Sequence, residues 1–356
     1  MNAEFLELMA ADPDDRRALF FETAGRLPTT IQNVEKDFWV SWVLDLLFNG
    51  GEPGEPRLLF KGGTSLSKAH GLISRFSEDI DITVFREDIG QAIGIGELEK
   101  LSGHKRQDHL DAIIEASRHY IQGHLKDRLN RQITDTFKKA GIPVHEAPVL
   151  LDPADHLLQS LLVRYPSVSS EPDVYVKAQV KIEAGAKSAL DPHRPMSITP
   201  YVAGELRKAD LTVHGVLTID AERTFWDKVL ILHGLRSWFE KRKELRNDGN
   251  RESRHYYDVY KLMQSPVGRQ AALNRVLALD CVRHARMFFN RPDFDLVHAH
   301  AGTFSIAPPP AMVEVLRRDY QAMAGMIFGG TPKIEDVLDT VQKLEQQINQ
   351  PEAEGC

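Results

Sequence analysis

Cysteine is scarce in this chain of 356 residues, which contains only Cys281 and Cys356. Two such cysteines do not make a disulfide framework, and they fit a reducing compartment. No apolar run approaches the roughly 20 residues that a membrane-spanning helix needs. The stretch Met1–Asp15 is acidic and lacks both a basic start and an apolar core, so we do not expect a signal peptide. These absences predict a cytoplasmic protein without a membrane partner.

An excess of basic residues is also absent. The chain carries 44 lysines and arginines against 51 aspartates and glutamates, which gives a net charge of −7. Proteins that bind nucleic acid usually show a basic excess, so any RNA contact would have to come from a local patch. The charged helical segment Leu101–Ala140, which is rich in lysine, arginine and histidine, is the first place to look for one.

The most informative stretch begins with the short apolar run Leu58–Phe60, which predicts a strand. Lys61-Gly62-Gly63-Thr64-Ser65 follows, and a glycine pair lets the backbone turn sharply and approach a ligand closely. The next residues, Ser65–His70, predict the opening of a helix, whose free N–H groups can hold a phosphate. The stretch is not a P-loop, because that motif would need glycine at Ser67 and serine or threonine at Ala69.

The second half of this stretch, Glu78–Val84, alternates polar and apolar residues as a half-buried strand does. A period of two places Asp79 and Asp81 on one face of the strand. Two adjacent carboxylates repel each other unless a hard cation lies between them, and Mg²⁺ favours one or two carboxylates together with phosphate oxygens. A phosphate-binding turn followed by this pair predicts metal-assisted nucleotidyl transfer.

The two motifs together resemble a known signature. Gly62-Gly63-Thr64-Ser65-Leu66 followed by Asp79-Ile80-Asp81 resembles the polymerase-β-like nucleotidyltransferases, and KGGTSLSK…RFSEDIDI looks like the AbiEii/AbiGii-type nucleotidyltransferase toxins. Glu35-Lys36-Asp37 resembles a segment that precedes the signature in the same toxins. There Lys36 either faces the nucleotide or is an ordinary solvated charge.

The resemblance implies an α/β (α+β) fold, with a mixed sheet flanked by helices and followed by a helical C-terminal region. The expected domains are N-terminal helices at 1–56, a nucleotidyltransferase core at 57–219 and a helical domain at 220–356. Alternating patterns in the core agree with this and predict the strands Leu158–Tyr165, Val174–Ala184, Ser197–Val202 and Leu211–Leu217.

Three further site residues come from the resemblance. Glu183 shares the polar face of its predicted strand with Lys181, and it matches the third carboxylate of polymerase-β-like folds. Lys228, on the predicted helix Asp220–Leu235, matches a lysine that meets the nucleotide. Asp258 matches a carboxylate that orients Lys228 or the acceptor. From spacing alone, Glu183, Lys228 and Asp258 could equally be solvated surface residues.

The resemblance implies a toxin that transfers a nucleoside monophosphate from an NTP to an acceptor hydroxyl, such as the 3′ end of tRNA, and that has a cognate antitoxin. The implied cofactor is Mg²⁺, with Mn²⁺ as an alternative. Two other functions stay open, namely transfer to a protein partner and nucleotide sensing on a degenerate transferase fold. The implied metal ligands are Asp79, Asp81 and Glu183, and the implied nucleotide-binding residues are Lys61, Gly62, Gly63, Thr64, Ser65 and Lys228.

Overall fold

The computed structural model describes residues 2–144, 146–169, 177–206, 209–246 and 251–351. The chain divides into two compact units. It passes from the first unit to the second for the last time between Ile219 and Asp220. The division of 1–219 into two domains stays a prediction. The first unit consists of Met1–Ala69, Phe76–Ile93 and Leu101–Ile219, and the second unit consists of His70–Arg75, Gly94–Lys100 and Asp220–Cys356.

A seven-stranded mixed sheet forms the centre of the first unit, which confirms the predicted fold class. The strand order is β3-β4-β5-β2-β1-β7-β6. The pairs β1–β7 and β2–β5 are parallel, and the other neighbours are antiparallel. The strands are β1 (Leu58–Lys61), β2 (Asp79–Val84), β3 (Val149–Leu151), β4 (Ser160–Arg164), β5 (Gln179–Glu183), β6 (His193–Ile198) and β7 (Val213–Ile219).

Helices surround the sheet and make up most of the second unit. Those of the first unit are α1 (Glu4–Ala10), α2 (Pro13–Arg26), α3 (Ile31–Asn49), α4 (Gly62–Lys68), α6 (Gly103–Tyr120) and α7 (Lys126–Lys139). A π-helical turn, Ile121–Leu125, joins the last two. Those of the second unit are α5 (Ile95–Lys100), α8 (Ala221–Arg242), α9 (Ser253–Gln264), α10 (Pro266–Leu273), α11 (Arg275–Phe288), α12 (Pro310–Met323) and α13 (Ile334–Ile348).

Helix α3 is the most deeply buried helix of the first unit. The Thr30 hydroxyl caps it by accepting the Asn33 N–H, and the helix gives way at Gly50. All residues from Asn33 to Leu47 are buried, so the helix has no solvent-facing side over this length. Among the described residues, no helix combines the length and the apolar character that crossing a membrane requires.

One predicted strand was wrong at its end, one strand was not predicted, and one prediction lies partly outside the described residues. The strand predicted at Ser197–Val202 ends at Ile198, because Tyr201–Glu205 turns into a 3₁₀ helix after pairing with β7 has ended. Strand β3 was not predicted, since three residues are too few to show a period. The start of the predicted strand Val174–Ala184 lies outside the described residues, and its remainder contains β5.

Candidate active site

The two aspartates of β2 lie in the middle of the sheet. The backbone register pairs Asp81 with Lys61 of β1 on one side and with Glu183 of β5 on the other. Ile80 and Ile82, which alternate with the aspartates, are buried in the core. The predicted period of two is therefore confirmed, and the sheet brings Glu183 beside the aspartate pair.

Asp79 lies in a strongly negative environment. Its carboxylate has no hydrogen-bond or ion-pair partner among the residues that the structure describes. Burial, together with the charges of Glu78, Glu183 and Asp81, raises the pKa of Asp79 to about 7, whereas Lys36 opposes the shift. The charges that act on the Asp79 carboxylate are therefore more negative than positive.

The other two carboxylates are held by lysines. Lys61 Nζ lies 3.7 Å from Asp81 Oδ1. Lys181 Nζ lies 2.8 Å from Glu183 Oε1 and 3.2 Å from Asp152 Oδ2. Both carboxylates remain partly exposed.

The glycine turn comes into contact with the aspartate pair. Helix α4 begins at Gly62, three residues earlier than predicted, and Gly62 has φ +80°. A Cβ at Gly62 would lie 2.0 Å from Asp81 Oδ2, which is far inside van der Waals contact. Only glycine allows the Asp81 carboxylate to rest against the backbone here.

The hydroxyl groups of Thr64 and Ser65 bond to the protein. Thr64 Oγ1 donates to the carbonyl of Asp79 and lies 2.8 Å from Ser77 Oγ, and Ser65 Oγ donates to the Gly62 carbonyl at 2.9 Å. Both residues are fully buried. Each hydroxyl has one proton and donates it to a protein carbonyl in this structure, and the nucleotide-binding role of Thr64 and Ser65 stays a prediction. The backbone N–H groups of the turn remain as the candidate phosphate donors.

Thr64 hydrogen-bonds the glycine turn to β2, so removal of its hydroxyl group should lower the stability measurably. We expect Thr64→Val to lower the free energy of unfolding by about 1–3 kcal/mol, because the shape is kept while the buried Asp79 carbonyl loses its donor. Urea denaturation measures this. Thr340→Val is the control, since Thr340 donates to the Asp336 carbonyl on an exposed helix face. Equal losses in the two variants would contradict the anchoring role.

The second unit contains a buried cluster of charges around Asp258. Asp258 is fully buried and receives two hydrogen bonds from Arg75, at 2.7 and 2.8 Å. Lys228 Nζ lies 2.9 Å from Asp258 Oδ2. The alternative that Lys228 and Asp258 are solvated surface residues is therefore wrong. The apolar spacing of α8 did not indicate that Lys228 is buried.

The cluster holds more positive than negative charge. Burial alone would raise the pKa of Asp258, but Arg75 and Lys228 outweigh it and hold that pKa well below its usual range. Burial and the neighbouring arginines lower the pKa of Lys228. His255 Nδ1 lies 3.2 Å from Lys228 Nζ, and burial, together with Lys228 and Arg254, lowers the His255 pKa well below its usual value. His255 is therefore neutral and accepts from Lys228.

The burial of one set of charged residues near β2 was not predicted. Glu35, Lys36 and Asp37 are all buried, so they are not solvated charges. Lys36 Nζ donates to Glu78 Oε2 at 2.6 Å, next to Asp79. The signal was present in the sequence, because three consecutive charges interrupt an otherwise apolar helix.

A different group has metal-like spacing. Glu52, Glu55 and His124 offer ligand atoms that all lie within 4.8 Å of one another. However, Arg128 and Arg131 bind the same two glutamates, at 3.0 and 3.4 Å. These arginines supply the charge that a cation would bring, so the group is explained as an ion-pair network. It also neutralises two of the basic residues in the segment suggested for RNA.

Comparison with known proteins agrees with this geometry. The family model of the nucleotidyl transferase AbiEii toxins of type IV toxin–antitoxin systems matches residues 45–343. The chain belongs to the AbiEii family. It is therefore a nucleotidyltransferase toxin, as the sequence motifs predicted. The matched AbiEii region contains the glycine turn, the aspartate pair, Glu183, Lys228 and Asp258, and it begins after Glu35-Lys36-Asp37.

A second comparison is with solved structures. The chain resembles MenT4, a nucleotidyltransferase toxin from Mycobacterium tuberculosis H37Rv, with 15% sequence identity and a TM-score of 0.47. The similarity covers 95% of this AbiEii chain and 90% of MenT4. No curated protein sequence matches the chain.

Proposed function

We propose that this AbiEii toxin is a Mg²⁺-dependent nucleotidyltransferase that moves a nucleoside monophosphate from an NTP to an acceptor hydroxyl, with the 3′ end of tRNA as the acceptor. One observation carries the proposal. The register of β1, β2 and β5 gathers Asp79, Asp81 and Glu183 beside a glycine turn that touches Asp81.

The residues present fit a divalent cation. Asp79, Asp81 and Glu183 offer only carboxylate oxygens, which is the donor set that Mg²⁺ and Mn²⁺ accept. Burial and the neighbouring carboxylates raise the pKa of Asp79, and a cation bound here would oppose that shift. A cation held here would offset the charge of the α-phosphate and of the leaving pyrophosphate.

The remaining residues would bind and orient the nucleotide. Backbone N–H groups of Gly62–Ser65 face no helical carbonyl in the first turn of α4 and would donate to the β- and γ-phosphates. Lys61 would balance phosphate charge. In the second unit, Lys228 would contact the triphosphate, and Asp258 would hold its ammonium group in place. A lysine suits this task as a compact point charge.

The biological setting follows from the family. Membership of a type IV toxin–antitoxin family implies a cognate antitoxin. A cytoplasmic location, a tRNA acceptor and a role in abortive infection or phage defence belong to the proposal. The scarcity of cysteine supports the cytoplasmic location, and the toxin family supports the acceptor and the biological role.

Incubation of the purified protein with total tRNA, Mg²⁺ and each α-³²P-NTP in turn tests the function. We expect one or two NTPs to label tRNA, and we expect no label with the Asp79→Ala/Asp81→Ala variant. Label in a protein band instead of RNA would replace the tRNA acceptor by a protein acceptor. NTP binding without any label would favour a nucleotide sensor.

A further inference from the structure

Three consecutive charged residues of α3, the EKD run (Glu35-Lys36-Asp37), are buried where apolar residues would be expected. Their exposed fractions are 1%, 4% and 3%. Burying charge is costly unless each group is paired and hydrogen-bonded, and a buried pair is often no more stabilising than apolar residues of the same volume. Stability alone therefore does not explain the EKD run.

Each member of the EKD run binds a different segment of the first unit. Successive helix residues point about 100° apart, so three neighbours reach three directions. Glu35 accepts the Val168 N–H at 2.7 Å and the Ser167 hydroxyl at 2.6 Å. These bonds hold the loop that follows β4.

Lys36 and Asp37 hold the two ends of the segment that joins the catalytic motifs. Lys36 Nζ lies 2.6 Å from Glu78, the residue immediately before Asp79. Asp37 Oδ1 lies 2.7 Å from the ammonium group of Lys68, the last residue of the helix that begins at Gly62. Between these two anchors the chain leaves the first unit after Ala69 and returns at Phe76.

The Asp37 anchor is itself rigid. Asp37 Oδ2 accepts the Tyr201 N–H at 2.7 Å, and Lys68 donates to the Thr199 carbonyl at 2.9 Å. The Lys68 ammonium lies 3.9 Å from the centre of the Tyr201 ring. These contacts leave the last residue of α4 little freedom to move along α3.

We propose that Lys36 and Asp37 are positioning residues that fix Asp79 and Asp81 relative to the glycine turn without touching metal or nucleotide. The proposal rests on the proposed function, because it assumes that the aspartate pair holds a divalent cation. The EKD run lies outside the part of the chain that the AbiEii model matches.

Mn²⁺ binding, measured by electron paramagnetic resonance without nucleotide or RNA, tests the proposal. We expect Lys36→Met to raise the Kd for Mn²⁺ about tenfold. The assay is run at a pH well above 7, so that Asp79 is ionised with and without Lys36. Under that condition the sign is informative, because removing a cation from beside Glu78 and Asp79 would tighten Mn²⁺ binding if charge alone mattered. Weaker binding therefore reports lost geometry. Unchanged or tighter binding would overturn the proposal.

Three further variants complete the experiment. The side chain of Lys36→Gln is uncharged and one atom shorter than lysine, so its amide does not reach Glu78. If Lys36→Met does not fold, this variant tests in its place whether Mn²⁺ binding weakens or tightens. Lys36→Arg keeps the charge and the donor, and we expect it to recover most of the Mn²⁺ affinity. Arg223→Met is the matched control, since it removes another buried cation, which is paired with Asp280 in the second unit. We expect it to leave the Kd for Mn²⁺ unchanged.

Activity measurements separate positioning from substrate contact. In the tRNA-labelling assay, Lys36→Met should raise the Mg²⁺ concentration needed for half-maximal transfer about tenfold at saturating NTP. A higher KM for NTP with an unchanged Mg²⁺ requirement would make Lys36 a nucleotide contact and would overturn the proposal. If the wild-type protein binds Mn²⁺ but transfers nothing, the proposed reaction fails while the positioning claim is still decided by the Kd values.

Discussion

Gly62→Ala is expected to lower nucleotidyl transfer by about 10²- to 10³-fold, since misplacing a reacting group by about 1 Å can cost 10²-fold. The added Cβ would lie 2.0 Å from Asp81 Oδ2 and 2.6 Å from Asp81 Cγ, so the carboxylate must leave its place. Asp81 Cβ is itself only 2.9 Å away, so a rotation of the carboxylate alone does not relieve the clash. The measurement is the rate of tRNA labelling at saturating NTP and Mg²⁺.

Backbone strain is the competing explanation for such a loss, and Gly90→Ala controls for it. Gly90 has φ +74°, close to the +80° of Gly62, but nothing lies within 4 Å of a Cβ built there. Both variants carry the left-handed strain of a non-glycine residue, roughly 1–2 kcal/mol, and only one displaces Asp81. We expect Gly90→Ala to retain transfer within about twofold. Full activity of Gly62→Ala would show that the position of Asp81 does not limit the reaction.

The sequence predicted the centre of this site well because its signals are local. A period of two placed Asp79 and Asp81 on one face, and a glycine pair indicated a turn after β1. The pairing of Glu183 with Asp81 joins residues that are far apart in the sequence. Glu183 was predicted from the family resemblance rather than from spacing. The contact of Gly62 with Asp81 joins the first residue of α4 to a residue of β2, so no local pattern could indicate it.

The burial of several charged residues could not be predicted from the sequence. Lys228 and Asp258 lie off the apolar stripes of their helices, and such positions are usually solvated. Their burial depends on Arg75, which is more than 150 residues away from both along the chain. The burial of Lys36 and Asp37 was not predicted for the same reason, since their partners Glu78 and Lys68 come from elsewhere in the fold. A charge is buried only where other elements supply its counter-charge or its hydrogen bonds.

Asp258→Asn should lower the free energy of unfolding by about 3–5 kcal/mol at pH 7, because it leaves Arg75 and Lys228 buried without a counter-charge. The amide keeps the shape of the carboxylate, so lost packing does not explain the effect. Urea denaturation measures the loss. The control is Asp339→Asn, which breaks an exposed pair with Lys343, and such pairs contribute about 0–1 kcal/mol.

The pH dependence of this loss has a definite sign. The pKa of Asp258 is held below its unfolded value, which is about 3.9 for aspartate. A depressed pKa gives stability that is fully present above the unfolded value and is lost as pH falls through the folded one. The difference between wild type and Asp258→Asn should therefore stay constant between pH 7 and pH 5 and shrink below about pH 4. A difference that grows on acidification would contradict the charge assignment.

A double variant separates the structural role of Lys228 from its proposed contact with the triphosphate. Lys228→Met in the Asp258→Asn background removes one of the two uncompensated cations, so it should recover part of the lost stability. Transfer should nevertheless stay below about 1% of wild type, because a thioether cannot balance phosphate charge. If Lys228→Met alone keeps full transfer, Lys228 serves only to balance Asp258, and the contact with the triphosphate must come from another residue.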